Sequence, residues 1–202
     1  MRKSATFFAV GAALIAVSCN SSKPKEPPPA DAYRAVATSD FALTCARGQE
    51  YGNLPPFKRE AGTVPPTALL TEFTSGWTEQ PTSGKHPQGW IVKYGQRVEK
   101  VQLVACAQRI KGTSTAKTCT AKQFVGNATK AVNARLYDAT YKVKIREART
   151  GKIIAERTMH AASTDCAKRV LTERDGSPPK YYAAIADADY VDLLQSLLSS
   201  KG

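Results

Sequence analysis

Only two histidines occur in the chain, His86 and His160, and they are not paired at metal-ligand spacing. There is no HExxH, GxSxG or Walker motif. These absences remove the common zinc-protease, serine-hydrolase and phosphate-loop chemistries, which need their residues at fixed offsets on one turn or helix. Five cysteines occur without a CxxC pair, so a thiolate zinc site with His160 or His86 is disfavoured. No metal or other cofactor is expected. There is no internal repeat and no second transmembrane helix. Acids are scarce as well: 17 Asp and Glu stand against 29 Lys and Arg, for a net charge of +12.

What is present begins at the N-terminus. Arg2 and Lys3 precede the apolar stretch ATFFAVGAALIAV (residues 5–17), which is short for a bilayer span and has the form of a secretory signal peptide. Small residues, Ala16-Val17-Ser18, lead directly into Cys19. The segment resembles the lipobox of bacterial lipoproteins, with Ala16 where leucine is usual. The resemblance implies a signal peptide over residues 1–18, cleavage before Cys19, and a diacylglyceryl group on its thiol that anchors the chain to a membrane. Asn20, rather than aspartate, after the cysteine implies the outer membrane. The competing reading is a plain signal peptide cut nearby, leaving Cys19 as an odd thiol. NSSKPKEPPPADA (20–32) has almost no apolar side chains and four prolines, which predicts a flexible tether over 19–34. The remainder, 35–202, suits a single globular extracytoplasmic domain.

Setting Cys19 aside leaves Cys45, Cys106, Cys119 and Cys166, an even number that suggests two disulfides in an exported chain. Four cysteines allow three pairings, and sequence alone does not choose among them. The favoured reading joins Cys106 to Cys119, because each lies on an apparent strand and AQRIKGTSTAKT between them reads as a hairpin connection. Cys45 then clips the N-terminal segment to Cys166.

Periodicity supplies the fold class. Residues 35–95 are rich in Pro, Gly and Thr, with two diproline breaks in NLPPFKREAGTVPPTALL, which predicts short strands and long connections. VEKVQLVAC (98–106) reads as a central strand, with Val101, Leu103 and Ala105 on one side and Val104 on the other. From Tyr137 to Arg146 apolar and polar residues alternate, the mark of a strand with one buried and one wet face. EARTGK then offers a turn with Gly151 at a positive φ, and KIIAERTM returns as the partner strand. In DADYVDLLQSLLSSKG, Val191, Leu194, Leu197 and Leu198 form a helical stripe, with Asp187 or Asp189 to cap it and Lys201 near its end. The expected class is α+β: a mainly antiparallel β-sheet with long N-terminal loops and a C-terminal helix.

VEKVQLVACAQR, a second cysteine a dozen residues on, YKVKIREARTGKIIAERT, STDCAKR and the upstream PQGW together resemble a domain of uncharacterised extracytoplasmic bacterial proteins, over residues 60–199. The resemblance implies a small disulfide-bearing domain and carries no activity or site residues.

Charge speaks most directly to function. Residues 97–152 contain 13 Lys or Arg and 3 acids, a net +10 that holds the whole excess of the chain after Arg2 and Lys3 are removed. Lys142, Lys144 and Arg146 project together from the wet face of the best strand and are the candidate binding residues. A concentrated positive field attracts polyanions and weakens with salt. The expected partners are therefore the membrane, through the N-terminal lipid, and an acidic envelope polymer or protein partner. The bland alternative is a solvated, aggregation-resistant edge. Nucleic acid is an unfavoured partner, since no zinc finger, helix-turn-helix or RRM pattern is present and the export signal points elsewhere. The expectation is a non-catalytic binding or interaction module; the alternative is an envelope-acting hydrolase with an unrecognised site. STAK at Ser114–Lys117 spells the SxxK of some serine acylases but falls outside a helix start. A Cys–His pair drawn from Cys166 or Cys45 with His160 would be silenced by disulfide bonding. The NAT sequon at Asn127 is not ordinarily used in a bacterial lipoprotein. Trp77, Trp90, Tyr181 and Tyr182 form no stripe, so core or loop packing is the better reading for them.

Overall fold

The strictest alternation in the sequence builds the middle of the molecule. The computed structural model describes residues 33–60, 62–73, 76–82, 84–125, 128–162, 169–170 and 179–199. The expectations for the signal peptide, Cys19, most of the tether, Asn127, Cys166 and Lys201 fall outside those residues. In chain order the elements are α1 (Phe41–Arg47), β1 (Thr67–Phe73), β2 (Gly76–Glu79), β3 (Ile91–Val92), β4 (Leu103–Val125), β5 (Ala128–Glu147), β6 (Ile153–Ala161), β7 (Arg169–Val170), β8 (Lys180–Tyr182) and α2 (Asp187–Ser199), with a 3-10 turn at Thr38–Asp40 before α1. One sheet runs in the order β2-β1-β4-β5-β6, with β3 paired to β1, β7 to β4 and β8 to β5.

On β5, Ala139, Tyr141, Val143 and Ile145 are buried while Asp138, Thr140, Lys142, Lys144 and Arg146 are half-buried, so the period of two holds. Tyr137 is only half-buried and packs against the Tyr182 ring at 5.0 Å. The turn into β6 carries Gly151 at φ 65°, as the sequence predicts. The buried face of the sheet packs on α2, where Tyr190, Leu193, Leu194 and Leu197 meet Leu69, Ala105, Tyr141, Val143 and Ile145. Each fully buried leucine there contributes about 1.5–3 kcal/mol of transfer free energy. The Tyr190 hydroxyl enters this core with a partner, donating to Gln80 Oε1 at 2.8 Å, and Gln80 Nε2 in turn donates to the Ile185 carbonyl. On the opposite face α1 and the loop after it bring Phe41, Cys45, Tyr51 and Leu54 against Leu70, Val104, Cys106 and Ala148.

Several expectations are corrected. The sheet is mixed, not purely antiparallel: among the described residues the pairings β1–β2, β4–β5 and β5–β6 are antiparallel, while β1–β3, β1–β4, β4–β7 and β5–β8 are parallel. Alternation reports which face is buried and says nothing about strand direction, whereas the long crossover from β1 to β4 lets the two run the same way. The supposed hairpin connection after Cys106 is the interior of β4, a 23-residue strand that continues to Val125 with register shifts near Arg109 and Ser114. The antiparallel partner of β4 is β5, with Val125 paired to Ala128. Residues 41–47 form a helix that Pro and Gly content upstream and downstream concealed; Gly48 closes it at φ 73°, donating to the Thr44 carbonyl while Gln49 donates to that of Leu43. The α2 stripe runs through Tyr190, Leu193, Leu194 and Leu197, with Val191 half-buried. On the buried face Tyr190 reaches Gln80 with its hydroxyl, on the same side of the sheet as α2. Asp187, expected at the start of α2, lies in its first turn and accepts a hydrogen bond from the Gly84 N–H at 3.0 Å.

The cysteine pairing is also different. Cys45 of α1 is bonded to Cys106 of β4, with Cα atoms 5.4 Å apart and 61 residues between them in sequence. Both expected bridges, Cys106–Cys119 and Cys45–Cys166, are thereby excluded, because each uses a cysteine already bonded. Cys106 and Cys119 stand on the same strand opposite Lys144 and Ala134, and the ten steps between those partners at about 3.3 Å each place them roughly 30 Å apart; a disulfide needs Cα atoms within about 7 Å. Closing a loop of 61 residues is worth about 4 kcal/mol in the chain-entropy account.

Candidate functional site

Alternation sends the odd-numbered core residues of β5 toward α2 and the even-numbered ones to the other face. There, α1 covers only part of the sheet. At its margin lies a cleft of about 160 Å³ lined by Cys45, Ala46, Glu72, Trp77, Cys106, Gln108, Lys142, Lys144 and Arg146. The sheet register explains this gathering. Gln108 of β4 stands opposite Lys142 of β5, and Cys106 opposite Lys144; Trp77 of β2 stands opposite Glu72 of β1. Four neighbouring strands thus contribute to one depression, and the Cys45–Cys106 disulfide ties α1 to it.

The three candidate binding residues from the sequence, Lys142, Lys144 and Arg146, therefore share one cleft. Their charges are not equally available. Lys142 Nζ lies 2.9 Å from Glu156 Oε1 on β6. Arg146 Nη1 donates to the Gly151 carbonyl at 2.6 Å, which holds the guanidinium against the β5–β6 turn, and its buried Nε has no hydrogen-bond partner among the described residues. Lys144 forms no salt bridge among the described residues. Glu72 forms none either, although it lines the same cleft as three cations. The combination offers cations on β5, oxygen acceptors on β1 and β4, and an indole on β2.

Sequence reasoning missed Glu72 and Gln108 and did not place Trp77 here. Glu72 lies in a strand whose burial pattern is dominated by its apolar neighbours, and nothing local announces that it lines the same cleft as the β5 cations. Trp77 is half-buried against the cluster under α1 and also lines the cleft, so packing and exposure coexist at this residue. The other aromatic candidates pack internally: Trp90 lies against the α2-side core, and Tyr182 is covered by the Arg109 guanidinium 3.4 Å from its ring centroid.

The residues weighed for catalysis take separate positions. Cys45 is held in the disulfide. His160, on β6, has its Nδ1 3.0 Å from the Thr140 hydroxyl and borders a shallow groove with Arg157, Asp189, Asp192 and Ser196. Ser114 and Lys117 are exposed on the bulged part of β4, where the Ser114 hydroxyl accepts from the Ala116 N–H, rather than at a helix start. Among the described residues no helix is long and apolar enough to cross a membrane. No family model, curated protein or solved structure matches this chain.

Proposed function

We propose that the chain is a lipid-anchored, extracytoplasmic binding module that holds an acidic polymer or partner of the cell envelope through its basic cleft. The observation that carries this reading is the convergence of Lys142, Lys144 and Arg146 on one cleft, with Lys144 in no salt bridge among the described residues. Three cations on one strand repel one another, and an anionic ligand relieves that repulsion while gaining charge-assisted hydrogen bonds. Anchorage through Cys19 and residence in the outer membrane belong to the same proposal and rest on the lipobox-like segment and Asn20. The role is non-catalytic. A hydrolase has less behind it, since Cys45 is bonded and Ser114 sits on an exposed bulge.

The test is retention of the full chain on immobilised acidic envelope polymers at rising salt. Retention is expected to fall severalfold as the Debye length shrinks from about 10 Å to about 3 Å, and to be largely lost in the Lys142→Glu, Lys144→Glu variant. Retention indifferent to both salt and these substitutions would overturn the proposal.

A further inference from the structure

The cleft is more discriminating than a basic patch. A phosphate or a plain polyanion needs only cations, and Glu72 in the same cleft repels it. A ligand that uses the whole lining carries one anionic group for Lys144 and Arg146, hydroxyl donors for Glu72 and the Gln108 side-chain oxygen, and a flat, weakly polar face to lie on Trp77. A sugar ring bearing a carboxylate has all three. Size agrees: a cleft of about 160 Å³ is smaller than the roughly 300–1,000 Å³ of sites for drug-sized molecules, so it admits one small unit. The opposing groups are also held rather than loose. Arg146 is fixed by the Gly151 carbonyl, and the Cys45–Cys106 bond ties α1 to the strand facing β5. Preorganisation of this kind lowers the ordering cost of binding.

We infer that the cleft seats a single carboxylate-bearing sugar unit, with Lys144 and Arg146 on the carboxylate, Glu72 and Gln108 on ring hydroxyls, and Trp77 beneath the ring. The inference rests on the basic-cleft function proposed above. Lys142, occupied by Glu156, supports the field of the site and is not its primary ligand. The unit is supplied either as a free sugar acid or within an acidic glycan; the shared chemistry is the same.

The experiment uses the full chain at low salt with four probes: galacturonate, a galacturonate oligomer, the methyl ester of that oligomer, and poly-glutamate of similar charge. Binding is followed by calorimetry and by tryptophan fluorescence, with Trp77→Phe leaving Trp90 as the silent reference. The oligomer is expected to bind and to change Trp77 fluorescence, while the ester, lacking the charge, binds about tenfold or more weakly. Lys144→Gln should weaken the oligomer by about tenfold. Glu72→Gln is the discriminating variant: it replaces a charged carboxylate acceptor with a single neutral amide oxygen and so weakens the oligomer's hydroxyl contacts, yet it removes a repelling charge and strengthens poly-glutamate. Binding of galacturonate alone with the same variant pattern identifies the free acid as a sufficient ligand; binding only of the oligomer identifies the glycan. Equal binding of oligomer and poly-glutamate, both strengthened by Glu72→Gln and both silent at Trp77, would overturn the sugar subsite while leaving the basic-cleft function standing. No binding of any probe, together with an inert Lys142→Glu, Lys144→Glu variant, would remove both. If Trp77→Phe proves unstable by thermal melting, the opposite responses to Glu72→Gln still decide the matter.

Discussion

Glu156 carries the most instructive single charge beside the cleft. Its carboxylate meets Lys142 Nζ at 2.9 Å, with the two side chains about two-fifths exposed (42% and 40%), so solvent screening limits the pair to about 0–1 kcal/mol of stability. For an anionic ligand of the proposed cleft Glu156 also offsets one of the three converging cations. Glu156→Gln is therefore expected to leave the melting temperature within about 4 °C of the parent, while strengthening retention on acidic polymers at low salt. Thermal melting and polymer retention on the same preparation check both halves, and unchanged or weaker retention would count against the cleft as the seat of attraction. Gly151 is a residue of the opposite kind, since its role is steric. It has φ +65°, and a Cβ there would stand 2.1 Å from the Gly48 carbonyl oxygen, a backbone atom that cannot rotate away. Gly151→Ala should cost at least about 1–3 kcal/mol, read as a shifted denaturant midpoint, and it should also disturb Arg146, whose guanidinium rests on the Gly151 carbonyl.

Among the elements, β4 has the most to explain. It is long enough to carry two cysteines that play different parts: Cys106 under α1 and Cys119, buried beside Ala121 and opposite Ala134. The parallel pairing of β4 with β7 sets Lys122 opposite Arg169 and Gln123 opposite Val170. With Cys45 bonded to Cys106, and with Cys19 taken by the proposed lipid anchor, Cys119 and Cys166 are left to pair. Peptide mapping of the oxidised, unreduced protein is expected to recover the Cys45–Cys106 link and a second link between Cys119 and Cys166. Recovery of Cys119 in a thiol-alkylated peptide from fully oxidised protein would refute that second link. Gly112 shows how closely β4 is approached from outside: a Cβ at this position would lie 2.4 Å from the Tyr182 ring, the ring that Arg109 of the same strand covers.

At the scale of the whole molecule, one sheet is packed on both faces, by α2 on one side and by α1 with its following loop on the other. Each face buries phenols. Burial, with Asp40 adding to it and Arg47 opposing, pushes the Tyr51 hydroxyl up to about 12. Burial likewise raises Tyr141 and, most of all, Tyr190. An unfolded chain ionises these phenols near their ordinary value of about 10, so above that pH it has lost protons that the folded state still holds. Stability is thus fully retained below about pH 10 and declines as pH rises through about 12. Alkaline titration by phenolate absorbance should show these three of the eight tyrosines ionising only together with unfolding, whereas smooth ionisation of all eight before any loss of structure would contradict the buried packing.

The sequence by itself determined what depends on near neighbours. The alternation from Ala139 to Arg146, the turn at Gly151 and the presence of a C-terminal helix are written in periods of two and 3.6 and in one residue that tolerates a positive φ. For the same reason Lys142, Lys144 and Arg146 were legible as a set on one face. Tertiary structure alone decided the rest. Whether β1 runs parallel to β4, which cysteine lies within reach of Cys45, and which helix face meets Gln80 depend on how distant segments cross, and hydrophobic period carries no term for that. Glu72, Gln108 and Trp77 enter the cleft through strand register between β2, β1 and β4, and strand register is a property of paired strands rather than of any one of them.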